Sequence, residues 1–156
     1  MVRRNIEATI RAALADTPVV LINGARQTGK TTLAQTIATG TGAEYFTLDD
    51  SATLSVATTD PSGFIGNLIG PVVIDEIQKA PTLFPAIKRA VDQNRQPGRF
   101  LLTGSANVMT LPRLSESLAG RMEVVPLFPL SAGELAGVVE GLIPRLFAGT
   151  VAESMR

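Results

Sequence analysis

Apolar residues recur at every fourth position from Val2 through Ile6 and Ile10 to Leu14, and Arg3, Arg4, Glu7 and Arg11 fill the opposite face. That spacing predicts an amphipathic helix, ended by Asp16-Thr17-Pro18. The pattern then changes. Val19–Ile22 is an unbroken apolar, β-branched run, the signature of a strand buried on both faces. A glycine-rich turn follows, and the helical period returns with Leu33, Ala34, Ile37 and Ala38, stopped by Gly40-Thr41-Gly42. Three more strands are read at Glu44–Leu48, Pro71–Asp75 and Arg99–Gly104, and a fifth at Met122–Leu127. Between them lie a helical stretch through the fifties and sixties and a second, at Thr82–Asn94, with Leu83, Phe84, Ile87, Ala90 and Val91 on one stripe. Pro85 is tolerable there because it falls in the first turn. A leucine-containing segment with Pro112, Leu114 and Leu118 precedes the last strand. Strands alternating with helices in this way predict an α/β fold with a parallel sheet covered on both faces. Ligands of such sheets sit at the carboxyl ends of the strands.

Composition removes several chemistries. The chain of 156 residues has no cysteine and no histidine, which excludes disulfides, thiol catalysis, the usual zinc ligand sets and any imidazole base. Proton transfer is left to carboxylates, lysine or positioned water. Fourteen basic residues balance fourteen acidic ones, so no net charge draws the protein to nucleic acid. The strip Arg3, Arg4 and Arg11 could touch nucleic acid or be an ordinary solvated face. No apolar run approaches the roughly 18 residues of a membrane span, and the opening residues lack the apolar block of a secretory signal. The expectation is a cytoplasmic protein with no membrane partner.

The turn after the first strand carries the chemistry. Gly24-Ala25-Arg26-Gln27-Thr28-Gly29-Lys30-Thr31, followed by Thr32, fits the spacing of a phosphate-binding loop. Gly24 and Gly29 are read as the positions that let backbone N–H groups curl around phosphate oxygens. The helix starting near Lys30 directs its positive end at the same anion. Lys30 would reach the β and γ phosphates, and the Thr31 hydroxyl would ligate magnesium.

The strand at Val72–Asp75 would place Asp75 at its carboxyl end, as a magnesium residue, with Glu76 next to it as the group that activates water. Asp49 and Asp50 also close a strand on that side, either near the metal or in a solvated turn. Thr103 and Ser105 end the neighbouring strand, either to hold water or to cap a helix. Arg121 would stabilise charge on the γ phosphate, in its own subunit or in a neighbour's, or would sit at a helix carboxyl end. No Asn-Lys-x-Asp guanine-reading motif is present, which sets a GTPase aside. A small-molecule kinase would need an arginine-bearing lid and a substrate pocket. A nucleotide-dependent binding module with negligible turnover would have less use for Glu76.

Taken together, "GARQTGKTTLA", "LDD", "VVIDEIQKAPTLFPAIKRAVD", "RFLLTGSAN", "SESLAGR" and "PLSAGEL" resemble the prokaryotic AAA+ ATPases with a Gly-Ala-Arg-Gln-x-Gly-Lys-Thr loop and an Asp-Glu-Ile-Gln-Lys motif. The resemblance runs from about Val19 to Leu135. It implies a P-loop fold of the additional-strand type, with a five-stranded parallel sheet in the order 5-1-4-3-2, and ATP with magnesium as cofactors. It implies Lys30 and Thr31 as cradle residues, Asp75 and Glu76 as magnesium and water residues, Thr103 or Ser105 as sensor and Arg121 as finger. If Arg121 acts in a neighbour's site, assembly into a homo-oligomer follows, with a protein or DNA partner left open. The expected divisions are an N-terminal helix at 1–17, an ATPase core at 18–130 and a truncated lid or tail at 131–156. "GLIPR" at Gly141–Arg145 is similar to the lid arginine motif. The family's C-terminal domain would then be missing.

Overall fold

The computed structural model describes residues 2–105, 108 and 118–138. Five strands form one parallel sheet: β1 Val19–Gly24, β2 Glu44–Thr47, β3 Val72–Asp75, β4 Phe100–Ser105 and β5 Met122–Pro126. Their order is β2-β3-β4-β1-β5, the same arrangement as 5-1-4-3-2 read from the other edge. β1 lies in the middle, with Val19 opposite Phe100 on one side and Met122 on the other.

Alternation along each strand divides the core between the two faces. Val19, Leu21, Ile74, Phe100 and Leu102 face one cluster, which includes Phe84, Ile87 and Val91 of α5 (Leu83–Gln93). Val20, Ile22, Val73 and Leu101 face the other, built from Ile10 of α1 (Glu7–Asp16) and Leu33, Ala34 and Ile37 of α2 (Lys30–Thr41). Because β1 is covered on both sides, it contains no polar residue before Asn23, and Val19–Ile22 are fully buried. Gly42, at φ 69°, ends α2 in the left-handed conformation that a glycine takes without a Cβ penalty.

Three boundaries differ from the sequence reading. The first helix begins at Glu7, and Val2, the first residue of its stripe, is exposed. The stretch through the fifties and sixties is two helices, α3 Ser51–Thr59 and α4 Pro61–Gly66. Pro61 has no N–H to continue α3. Asp60 therefore ends α3 and caps α4 by accepting from Gly63 N–H at 2.9 Å. Finally, a 3-10 turn at Ile77–Lys79 follows β3 directly. Of the leucine-containing segment, Pro112 and Leu114 lie outside the described residues, as does Gly141–Arg145.

The chain divides into two compact units. The larger, Ile6–Pro129, takes in α1 and holds the whole sheet. In the smaller, residues 2–5 meet residues 130–138. There α6 (Ala132–Ala136) starts with a reciprocal cap between Ser131 and Glu134. Glu134 also accepts from Asn5 N–H at 2.7 Å and Arg4 Nε at 3.1 Å. The Ser131 N–H, then those of Asn5 and Arg4, hold its carboxyl below the usual value. Arg11 pairs with Glu7 at 2.8 Å. Arg4 and Arg11 are thus each engaged by a carboxylate.

Candidate nucleotide site

β1 ends where the loop Gly24–Gly29 turns into α2. Two residues make that turn with positive φ, Gln27 at 65° and Gly29 at 87°. Gly29 takes the left-handed backbone that the sequence reading expects of it. Gly24 is needed for a different reason: its φ is not positive, but a Cβ there would lie 2.4 Å from the Leu127 carbonyl oxygen. Leu127 is fixed by its own N–H, 2.7 Å from Asn23 O, so the backbone following β5 closes on the base of the loop. Gly24→Ala is expected to lower stability by about 1–3 kcal/mol through this overlap, measurable by thermal unfolding. A parent-like melting temperature would show that the contact yields.

Lys30, the first residue of α2, is buried, and its Nζ lies 3.0 Å from Gly24 O and 2.8 Å from Ala25 O. Thr28 is buried too and donates to Ala25 O at 3.0 Å. Ala25, Arg26, Gln27 and Thr32 are exposed. A cavity of about 430 Å³ opens over the loop, lined by Arg26, Gln27, Gly29, Lys30, Thr31, Asp49, Glu76, Gln78 and Lys79. Three cations on this wall, a turn with two left-handed residues and a helix amino end suit a polyphosphate.

Asp75 is 1% exposed and closes β3 opposite the loop. Its Oδ2 accepts from the Thr31 hydroxyl at 2.9 Å and the Tyr45 hydroxyl at 3.0 Å, and its Oδ1 accepts from the Thr103 hydroxyl. Three hydroxyl donors from α2, β2 and β4 thus hold one carboxylate. Burial first, then the charge of Asp75, pushes the Tyr45 phenol well above its ordinary value, so it remains a donor. No group of three or more His, Cys, Asp or Glu residues forms a metal cage among the described residues. One carboxylate and one hydroxyl, both hard oxygen donors, fit magnesium, which keeps waters and takes its remaining ligands from phosphates.

Glu76 stands directly after Asp75 in the left-handed region, at φ 61° and ψ 43°, where a glutamate is uncommon. Its N–H donates to Thr103 Oγ1 at 3.0 Å. Thr103 therefore donates to Asp75 and accepts from Glu76, which uses the hydroxyl in both directions. The Glu76 carboxylate accepts from the Gln78 side-chain amide. Ser105 presents its N–H to Gln78 Oε1 at 3.3 Å. Of the acidic pair, Asp50 caps α3 through Thr53 N–H at 2.8 Å, a bond that lowers its pKa. Asp49 lines the cavity and pairs with Lys79 at 2.5 Å.

The structure does not bring Arg121 to this cavity. Arg121 precedes β5, and its carbonyl accepts from Val19 N–H at 3.2 Å, at the start of β1. The loop follows the other end of β1, roughly 17 Å away at about 3.3 Å per residue. Arg121 Nε instead donates to Asp92 at 2.5 Å, and Nη1 to Ala119 O at 3.0 Å. Sequence reasoning also missed residues: Tyr45, Gln78 and Lys79 all belong to the site. Tyr45 is the chain's single tyrosine, and it reads as an ordinary strand residue until β2 is known to lie beside β3.

A parallel five-stranded sheet with this order, and a glycine loop joining its central strand to a helix, define a P-loop NTPase. The chain belongs to the AAA domain family, whose model matches residues 16–136. It is a nucleotide-binding protein of that class. Two uncharacterized proteins, Rv2008c of Mycobacterium tuberculosis and Mb2031c of Mycobacterium bovis, are each 40% identical over 134 residues. The alignment covers 85% of this chain and 30% of either relative, so the chain spans less than a third of their length. Among solved structures, a DNA replication initiation factor matches with a TM-score of 0.53 at 15% identity, over 97% of this chain and 50% of that one. The P-loop NTPase domain of a sigma-54 transport activator from E. coli matches with a TM-score of 0.52 at 17% identity, over 84% of this chain and all of that one. Both likenesses are of fold. No helix among the described residues is long and apolar enough to cross a membrane.

Proposed function

We propose that the chain is an ATPase whose core, residues 18–130, hydrolyses ATP to ADP and phosphate in the cytoplasm. One observation carries the reading: Asp75 ends β3 beside the Lys30 loop and Glu76 follows it, Asp75 bonded to Thr31 and Glu76 lining the same cavity as Lys30. Lys30 and the loop N–H groups hold the β and γ phosphates. Thr31 and Asp75 are the residues that would hold magnesium, which supplies charge neutralisation between those phosphates. Glu76 orients a water and accepts its proton as the water oxygen bonds to the γ phosphorus and the bond to the β-phosphate oxygen breaks. Thr103 sets the geometry by holding Asp75 and Glu76 together.

A second reading, a binding module with negligible turnover in a single chain, is favoured by the position of Arg121. Held by Asp92 at the far end of the sheet, Arg121 is available to a neighbouring copy's γ phosphate and not to its own. Phosphate release from MgATP, measured across a range of protein concentrations, separates the two. An assembling ATPase gives specific activity that climbs with concentration, and Arg121→Ala flattens that climb while sparing ATP binding. Absence of release at every concentration, with binding intact, would favour the module, acting on a protein or DNA partner.

A further inference from the structure

The side chain of Gln78 lies between two groups of opposite character. The Glu76 carboxylate can only accept, and the Ser105 N–H can only donate. A primary amide is the one side chain of this length that satisfies both, with its nitrogen toward Glu76 and its oxygen toward Ser105. The surrounding groups therefore fix which way the amide points. β4 grips Glu76 at two points as a result. Thr103 takes its backbone N–H, and Ser105, two residues on along the same side of the strand, holds its carboxylate through Gln78. Gln78 itself is anchored because its 3-10 turn carries the fully buried Ile77.

We propose that Gln78 is a positioning residue: its amide holds the Glu76 carboxylate and ties it to the end of β4, so that the geometry of the water-activating group is set from Ser105. The inference rests on the ATPase reading for its effect on turnover, and on the hydrogen bonds alone for the tie itself. Nucleotide binding is assigned to Lys30, Thr31 and the loop, whereas the side-chain hydrogen bonds of Gln78 go to Glu76 and Ser105. Its loss should therefore act on the chemical step.

The test has two readouts on the full chain. The first is a double-mutant cycle of Glu76→Gln and Gln78→Ala, read at the Ser105 backbone amide by proton–nitrogen correlation NMR. Glu76→Gln should shift that amide in the parent and leave it nearly unmoved when residue 78 is alanine. Equal shifts in both backgrounds overturn the proposal. The second is steady-state ATP turnover of Gln78→Ala and Gln78→Glu. The glutamate variant keeps the size but loses the donor and adds a like charge. Both should lower kcat about ten- to a hundredfold with KM for ATP within about twofold, the size expected when a reacting group loses its alignment. A parent-like kcat in Gln78→Glu overturns the proposal. Coupling at Ser105 in a chain that releases no phosphate would support the tie and count against the ATPase reading instead.

Discussion

Lys30→Ala is expected to weaken MgATP binding by about a hundredfold or more while leaving the fold standing. Lys30 is 5% exposed, and its ammonium is fixed by the carbonyls of Gly24 and Ala25 at the mouth of the loop. Those contacts hold its charge beside the α2 amino end, where phosphate oxygens gather. Hydrogen bonds to charged groups contribute about 1.5–3 kcal/mol each, and a buried lysine offers more than one to the β and γ oxygens. About 2.8 kcal/mol corresponds to a hundredfold in affinity. The fold should tolerate the change because Leu33, Ala34 and Ile37, not Lys30, pack α2 against the sheet, and alanine is the best helix former. Calorimetric titration of MgATP into parent and variant, with thermal unfolding alongside, gives both numbers. Parent-like affinity would remove the loop from the binding site. A collapse of stability would instead mean that the lysine's two carbonyl bonds hold the loop together.

The parts of this site visible in the sequence are those whose spacing is local. The switch from an apolar run to a glycine loop to a helical period marks β1, the cradle and α2 within about two dozen consecutive residues, a pattern that survives without knowledge of the fold. Asp75 and Glu76 are visible for the same reason, at the end of a short apolar strand. Tyr45 shows the limit. It reaches Asp75 only because β2 flanks β3, and no local pattern states which strands are neighbours. Gln78 is hidden differently: it sits in a three-residue 3-10 turn too short to leave a period. Gly24 is legible as a loop glycine but not for what the structure asks of it, since the carbonyl that crowds its missing Cβ belongs to Leu127, more than a hundred residues later. Arg121 illustrates the converse. Its place just before the last strand is legible, and in a parallel sheet that place lies at the amino end of the strands, away from the loop, as the pairing of Met122 with Val19 shows.

Glu76→Gln is expected to lower the rate of phosphate release by at least about a hundredfold, with ATP affinity within about threefold of the parent. The two side chains have the same length, and the amide oxygen of a glutamine can still accept from Gln78. The loop, Lys30 and Asp75 are untouched, so the substitution removes the proton acceptor and little else. General-base groups contribute about a hundred- to ten-thousandfold, and with no histidine in the chain no imidazole stands ready to replace this one. The backbone adds a reason to place the chemistry here. Glu76 is held at φ 61°, a conformation whose strain of order 1–3 kcal/mol persists only where surrounding contacts impose it, and here the Thr103 hydroxyl does so. An acidic turn with no function would relieve that strain with glycine or asparagine. Single-turnover release from pre-bound ATP is the decisive measurement, because it isolates the chemical step from product departure. Unchanged release would move water activation away from Glu76, and the Thr103 contact would then be read as support for Asp75 alone.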